Sequence, residues 1–391
     1  MSDTQAAPLD ATDFSLTACG PVDRLQERLG IAGAEPPRLV LRAIVLALFA
    51  WLPMAVIEIF AQHQTAPQVA FFQDIAAYVR FLIVIPVLIF AEGTVGRRTR
   101  MVATGFAKTG LIGEEESSRY QMIVRRTRKL ADSFLVEVAI LVLAWAAIAV
   151  IMRGLSQDGI VYWYEGAADR LSVSGFWYAY VASPIVLFLF LRWAWRFVVW
   201  AWFLRRVSKL DLRVVGTHPD HAGGLGFVTV GHDAFAMCTF AASAVLAGAA
   251  ANRILYEGVH LTDYQSSVVG FIVIAVVIGI LPLFVFLKIL VRAKRIGLIK
   301  YGEFASKYVN SFERKWIDKK NVSDEMLGSG DIQSLADLGG SFERLDTMRS
   351  VPFDRRTVIA FAIAAASPIL PLFLTVMPLR EMVHLLFKAM I

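Results

Sequence analysis

Seven apolar stretches constrain this chain more than any other feature: roughly 39–60, 77–93, 134–152, 176–204, 233–252, 266–291 and 357–378. Each is close to the ~20 residues with which an α-helix crosses a bilayer. None alternates with the period of two expected of a membrane strand, which argues for a helical bundle and against a β-barrel. The expected fold class is therefore all-α, a polytopic transmembrane helical bundle of about seven spans with cytoplasmic amphipathic helices. Only 18% of the residues are charged, against ~25% in soluble domains.

Lys and Arg are distributed unevenly between alternate loops. Segment 61–76 has none, 153–175 has Arg153 and Arg170, and 253–265 has Arg253. The opposite set is rich, with nine from Arg97 to Lys129, four from Arg205 to Arg213 and thirteen from Arg292 to Arg356. This positive-inside pattern predicts a cytoplasmic N-terminus and, with seven spans, an external C-terminal tail. The net charge of +6 is thus a topology signal, and no basic–aromatic recognition module accompanies it, so nucleic acid is not an expected partner. Residues 1–38 read as a polar cytoplasmic tail with a short amphipathic helix at Val22–Ile31. Asp3, Asp10 and Asp13 stand where a signal peptide carries basic residues, so the first span is read as an uncleaved anchor and the bacterial inner membrane as the location. Cys19 and Cys238 offer no disulfide framework.

Four parts follow from these signals: the tail 1–38, a six-span bundle 39–291, a cytoplasmic amphipathic segment 292–356, and a last span with an interfacial tail, 357–391. Helical patterning continues through about 94–133, which predicts a cytoplasmic hairpin broken near Gly110 and Gly113. Glu114, Glu115 and Glu116 suit the positive end of its second helix. In 292–356 two stripes recur at helical spacing, Tyr301, Phe304, Tyr308, Phe312 and Trp316, then Ile332, Leu335, Leu338, Phe342, Leu345 and Met348. A polar linker, Asp318–Gly330, separates them. Such stripes bury against the rest of the protein, a partner protein or a membrane surface. The Ala/Gly/Ser-rich span 234–252 suits close helix packing, centrally in the bundle or between copies in a homo-oligomer. Pro368, Pro371 and Pro378 predict a kinked or broken last span.

The most distinctive text is Gly216-Thr-His-Pro-Asp-His-Ala-Gly-Gly-Leu-Gly-Phe227, followed by His232-Asp233. His218, Asp220, His221, His232 and Asp233 could form an ion or polar-solute site, since imidazoles and carboxylates relay protons and ligate ions. A divalent metal on His218, Asp220, His221 and His232 is one alternative, although their spacing matches no zinc signature; no other cofactor is expected. A plain structural turn is the other, because Pro, Asp and Gly favour turns. A second set of candidates lies inside the spans, where ionisable residues need partners or an aqueous cavity. Arg192 is expected to meet Glu137 and Glu92 in the cytoplasmic half, while Arg80, Glu58 and Glu257 form an outer set. Arg196 is expected to snorkel to the headgroups among Trp193, Trp195, Trp200 and Trp202.

The run Arg192–Phe227 with its Thr-His-Pro-Asp-x-Ala-Gly-Gly-Leu-Gly-Phe loop, together with Ser334-Leu-Ala-Asp-Leu and Val351-Pro-Phe, resembles a family of uncharacterised bacterial multi-spanning inner-membrane proteins. The resemblance implies membrane architecture and names no activity. On the residues themselves, transport or channel activity for a small ion or polar solute leads. A non-catalytic scaffold or sensor acting through the cytoplasmic helices is the alternative, and a metal-dependent membrane enzyme is the third reading.

Overall fold

The computed structural model describes residues 14–17, 36–61, 67–155, 161–166, 170–318 and 330–375. Cys19, the helix expected at Val22–Ile31, most of the Asp318–Gly330 linker, Pro378 and the tail from Leu379 lie outside them. The described residues are helical, with no strand beyond three isolated bridges. Among the described residues nine helices carry the fold: α1 Pro36–Phe60, α2 Ile75–Lys108, α3 Glu114–Ala131, α4 Phe134–Leu155, α5 Val173–Val207, α6 Val228–Tyr256, α7 Leu261–Ile317, α8 Gly330–Asp346 and α9 Arg355–Ala366. Six helical stretches are long and apolar enough to cross a membrane: α1, α2, α3 with α4, α5, α6 and α7.

Burial sorts them. Helices α2, α5 and α6 carry the core, including Phe81, Leu88, Trp200, Phe203 and Ala241. In α4 and the first half of α7, Leu135, Val142, Val150, Val269, Ile274 and Ile278 are exposed. A belt of exposed aliphatic side chains on the bundle's outside is stable against lipid and would be costly in water. The small residues of α6 are used within the chain. A Cβ on Gly248 would stand 3.2 Å from Ala76 Cα of α2, and Ser243 Oγ donates to Ala365 O of α9 at 2.5 Å.

Four of the long helices are not regular. Val79–Val84 in α2 and Tyr178–Ala182 in α5 are π-helical, and Asp233–Phe235 in α6 and Leu281–Phe286 in α7 are 3-10. Pro86 and Pro184 follow the two π turns by two residues. A proline nitrogen cannot donate to the carbonyl four residues before it, so Leu82 O and Tyr180 O lose their ordinary donors inside these turns. After α9 the chain turns at Ser367–Ile369 and continues as a 3-10 segment, Leu370–Thr375. The last apolar stretch is broken at Pro368–Pro371.

Beyond the bundle, α2 runs on to Lys108, turns through Gly110 at φ +74°, and returns as α3. The second half of α7 packs against α8. Tyr308 donates to Asp331 O at 3.1 Å and Trp316 Nε1 to Asp331 Oδ2 at 3.0 Å. The aromatic stripe therefore closes on the start of α8.

The segment 1–38 is not wholly a solvated tail. Phe14–Thr17 is buried at the end of the bundle that carries α3. The Phe14 ring lies 4.9 Å from Phe203 and 6.4 Å from Trp200, while Phe14 O accepts from Arg100 Nε at 3.0 Å. Phe14 and Leu16 bury here while arginines satisfy the carbonyls of Phe14 and Thr17.

Candidate functional site

Glu92 of α2 sits at the centre of a buried ion network. Its carboxylate accepts from Arg42 at 2.7 Å, Arg192 at 3.0 Å and Arg196 at 2.8 Å. Arg192 Nε also reaches Glu137 at 3.0 Å. These side chains are only 3–11% exposed. Four helices, α1, α2, α4 and α5, are thereby tied together. The expected pairing of Arg192 with Glu92 and Glu137 is present; Arg42 was not foreseen. Arg196 does not snorkel. Its second terminal nitrogen donates to Thr17 O at 3.0 Å, and its guanidinium stacks 5.0 Å from the Trp193 ring. The tryptophans expected as an interfacial belt are partly internal, with Trp193 Nε1 donating to Leu88 O at 3.1 Å. Among the described residues two carboxylates meet three guanidiniums, and the backbone carbonyl of Thr17 adds an acceptor for Arg196.

The His/Asp loop is built around its own anion. Asp220 Oδ1 accepts from the amides of Ala222 at 2.8 Å and Gly224 at 3.1 Å, and Oδ2 from Gly226 at 2.9 Å. Burial alone would raise the Asp220 pKa; the amides of Ala222, Gly226 and Gly224 and the His218 ring outweigh it and hold it below the ordinary carboxylate value. His218 Nδ1 lies 2.8 Å from Asp220 Oδ1 and 3.3 Å from Asp220 N. The shorter contact makes the ring nitrogen a donor to the carboxylate. The anion nest that the glycines could offer a ligand is thus filled from within.

This loop clasps the end of α8. His221, at φ +53°, places its ring 3.1 Å from Thr347 Oγ1 and its carbonyl 2.7 Å from Arg349 N. Arg349 donates to Asp220 O at 2.8 Å. Leu345 fits where Gly216 and Gly297 have no side chain; a Cβ on either would stand 2.4 or 2.5 Å from its Cδ2.

His232 and Asp233 are not part of the loop's polar cluster. His232 is fully buried in α6, where Trp200 Nε1 donates to its Nδ1 at 3.3 Å and its Nε2 contacts Gly279 O. A neutral ring protonated at Nε2 satisfies both contacts. Asp233 Oδ1 is buried without a partner among the described residues. Spacing in sequence had suggested that His218, Asp220, His221 and His232 could share an ion. The helical rise into α6 separates them instead, and among the described residues no group of three or more His, Cys, Asp or Glu side chains is placed to hold a metal.

At the opposite end of the bundle lies a cavity of about 450 Å³ that sequence reading missed. Its position is set by Asp74, which caps α2 through Ala77 N at 3.0 Å. Asp74 also accepts from Trp163 Nε1 at 2.9 Å and from Asn252 Nδ2 at 2.7 Å, joining α2, the 161–166 segment and α6. Gly175 lets α5 approach that segment; a Cβ there would stand 2.1 Å from Tyr164 O.

One wall is a tyrosine stack. The Tyr162 and Tyr164 rings lie 5.2 Å apart at 12°, and Tyr164 and Tyr178 5.2 Å apart at 11°. Arg80 donates to the Tyr178 hydroxyl. Both residues belong to the π turns, so the two irregular segments meet across this bond. The opposite wall is small and apolar, with Ala247, Ala250, Val268, Phe271, Ile369 and Leu372.

The outer set Arg80, Glu58 and Glu257 does not form a mutual cluster. Glu58 accepts from Ser174, and Glu257 is held by Tyr162 at 3.2 Å and Arg253 at 3.4 Å. Burial first, and Glu257 next, raise the Tyr162 pKa; burial and Tyr178 raise that of Tyr164, so both phenols stay protonated at neutral pH. The signal available in sequence was the Tyr-Trp-Tyr run at 162–164 beside a span carrying Arg80, and only the fold brings these together. Comparison of the chain with protein-family models, curated proteins and solved structures finds no match.

Proposed function

We propose that this chain is a bacterial inner-membrane protein that admits a small polar solute from the external face, as one state of a transport cycle. The observation that carries the reading is a cavity of about 450 Å³ at one end of the bundle, set off along α2 by buried apolar residues from the Glu92 network. On α2, Arg80 at the cavity and Glu92 in the ion network are twelve residues apart, about 18 Å of helix. Phe81, Val84, Ile85, Leu88 and Ile89 between them are buried. A transporter open to one side and closed to the other has this form, and broken helices at its site are characteristic. The π turns carrying Arg80 and Tyr178 meet that description.

The orientation follows from the charge bias, which puts the His218 loop, α3 and α8 in the cytoplasm and the cavity outside. A seventh crossing belongs to the proposal. The chain passes from Arg349, bonded to the loop, through α9 to Ile369 and Leu372 in the cavity wall. A reporter fused after Ile391 should then be external; a cytoplasmic signal would contradict the seven-span topology.

The test is uptake into proteoliposomes from a panel of small solutes. The wild type should accumulate at least one of them, and Ala250→Trp, which fills the cavity, should abolish uptake while leaving the protein monodisperse. Uptake unaffected by the blocking residue would move the path elsewhere. One observation favours a sensor instead. Helix α7 lines the cavity at Tyr264, Ser267 and Phe271 and runs without interruption of its helical course to the contact with α8. Binding without uptake, accompanied by altered protease protection of α7 and α8, would select that reading.

A further inference from the structure

We infer that the external cavity binds a small organic anion, a carboxylate with an apolar body, through the Arg80 guanidinium. The inference rests on the cavity being the solute site proposed above and adds the chemical class of its occupant.

The charges around the cavity decide the sign. Three carboxylates line it, and each is already engaged. Asp74 holds Trp163, Asn252 and its own helix cap. Glu257 is held by Tyr162 and Arg253, and Glu165 also has an interaction partner. Arg253, the second cation, is paired with Glu257. Arg80 differs. It donates to the Tyr178 hydroxyl, and among the described residues its carboxylate neighbour, Asp74, acts on it from beyond ion-pair distance. A guanidinium inside a span, half-buried and without a direct ion pair among the described residues, is costly unless a counter-anion reaches it.

The donors near Arg80 suit a carboxylate. A guanidinium presents a planar fork of N–H groups that a carboxylate matches with two oxygens. Tyr178 accepts from Arg80 through its oxygen, which leaves its own hydrogen to donate. Tyr164, stacked on the same ring, also lines the cavity and has no hydrogen-bond partner from its hydroxyl among the described residues. Burial keeps that phenol protonated. One cation and two phenolic donors therefore gather on one wall. Elsewhere in the lining, Ala247, Ala250, Val268 and Phe271 are apolar and would cover a hydrocarbon body, beside the polar Asn252, Tyr264 and Ser267. A volume of about 450 Å³ admits a small aliphatic or aromatic acid.

The test compares charge at constant shape. Purified protein in nanodiscs is titrated with benzoate, benzamide and benzylamine, and with hexanoate, hexanamide and hexylamine, following tryptophan fluorescence and thermal stability. Trp163 packs on Tyr178 at 5.4 Å and serves as the reporter. At least one acid should bind about tenfold or more tightly than its amide and amine. Arg80→Gln should weaken that acid by about tenfold or more and Arg80→Lys by less, because the charge survives without the fork. Tyr178→Phe, which keeps the cation, should weaken binding less than Arg80→Gln, and its melting curve checks that the wall still folds. Amines binding as well as acids would overturn the anion assignment while leaving the cavity a solute site. Acid binding unchanged in a folded Arg80→Gln protein would do the same. Failure of all six probes to bind would overturn both readings.

Discussion

Glu92 is one carboxylate shared by three guanidiniums, and it ties α1, α2 and α5 together. Removing one partner from a buried ion network costs more than the network contributes, because the remaining charges stay desolvated. Glu92→Gln should therefore destabilise the protein by about 3–5 kcal/mol, read as a lower midpoint in detergent unfolding; an unchanged midpoint would show that water reaches the network. Asp220 shows the opposite use of charge, an anion neutralised by amides of its own loop. Its folded pKa is depressed, so its stabilisation is present above the ordinary value of about 3.9 and is lost as pH falls through the folded value. Hydrogen exchange in residues 216–226 and at the end of α8 should quicken between pH 5 and pH 2, limits set on the order of that carboxylate range. The same exchange pattern in Asp220→Asn at every pH, as open as the acid form, would accompany it. Wild-type protection that is insensitive to acid would contradict the role.

The helices show how local breaks are placed. Pro86 and Pro184 act upstream of themselves, converting one turn of α2 and one of α5 to π geometry and turning Arg80 and Tyr178 toward one cavity. Hydropathy showed both spans clearly, since a π turn leaves apolar content unchanged, but the register shift was hidden because it depends on which carbonyl finds a donor. The pairing of Arg192 with Glu92 and Glu137 was legible because topology places all three at one depth. Arg42 was not, because it sits near the start of an otherwise plain span. The loop at 216–227 was legible as distinctive text, yet its role was not. Whether Asp220 meets a ligand or its own amides depends on φ at Gly223 and Gly224, +65° and +91°, and composition cannot give those angles. The stripe of α8 shows the element's dependence on two absent side chains. Leu345→Ala should cost α8 about 2–5 kcal/mol of docking, seen as protease cleavage within 330–346 at concentrations that spare the wild type. Equal resistance would mean that the hydrogen bonds of Arg349 and His221 hold the helix by themselves.

Across the whole molecule, long helices join a cavity at one end to the buried Glu92 network toward the other. The aliphatic faces of α4 and α7 give the lipid contact, α2, α5 and α6 form the packed middle, and Phe14–Thr17 packs at the Glu92 end, where Thr17 O accepts from Arg196. The broken last stretch brings Ile369 and Leu372 to the cavity, so one chain segment touches both ends. Sidedness is the property on which this account stands. The most direct measurement places a single cysteine at Ala250 in a Cys19→Ser, Cys238→Ser background and labels it with a membrane-impermeant maleimide in intact spheroplasts and in inverted vesicles. Labelling in spheroplasts and protection in inverted vesicles is the result predicted. Labelling only from the inverted side would place the cavity on the cytoplasmic face and contradict the account.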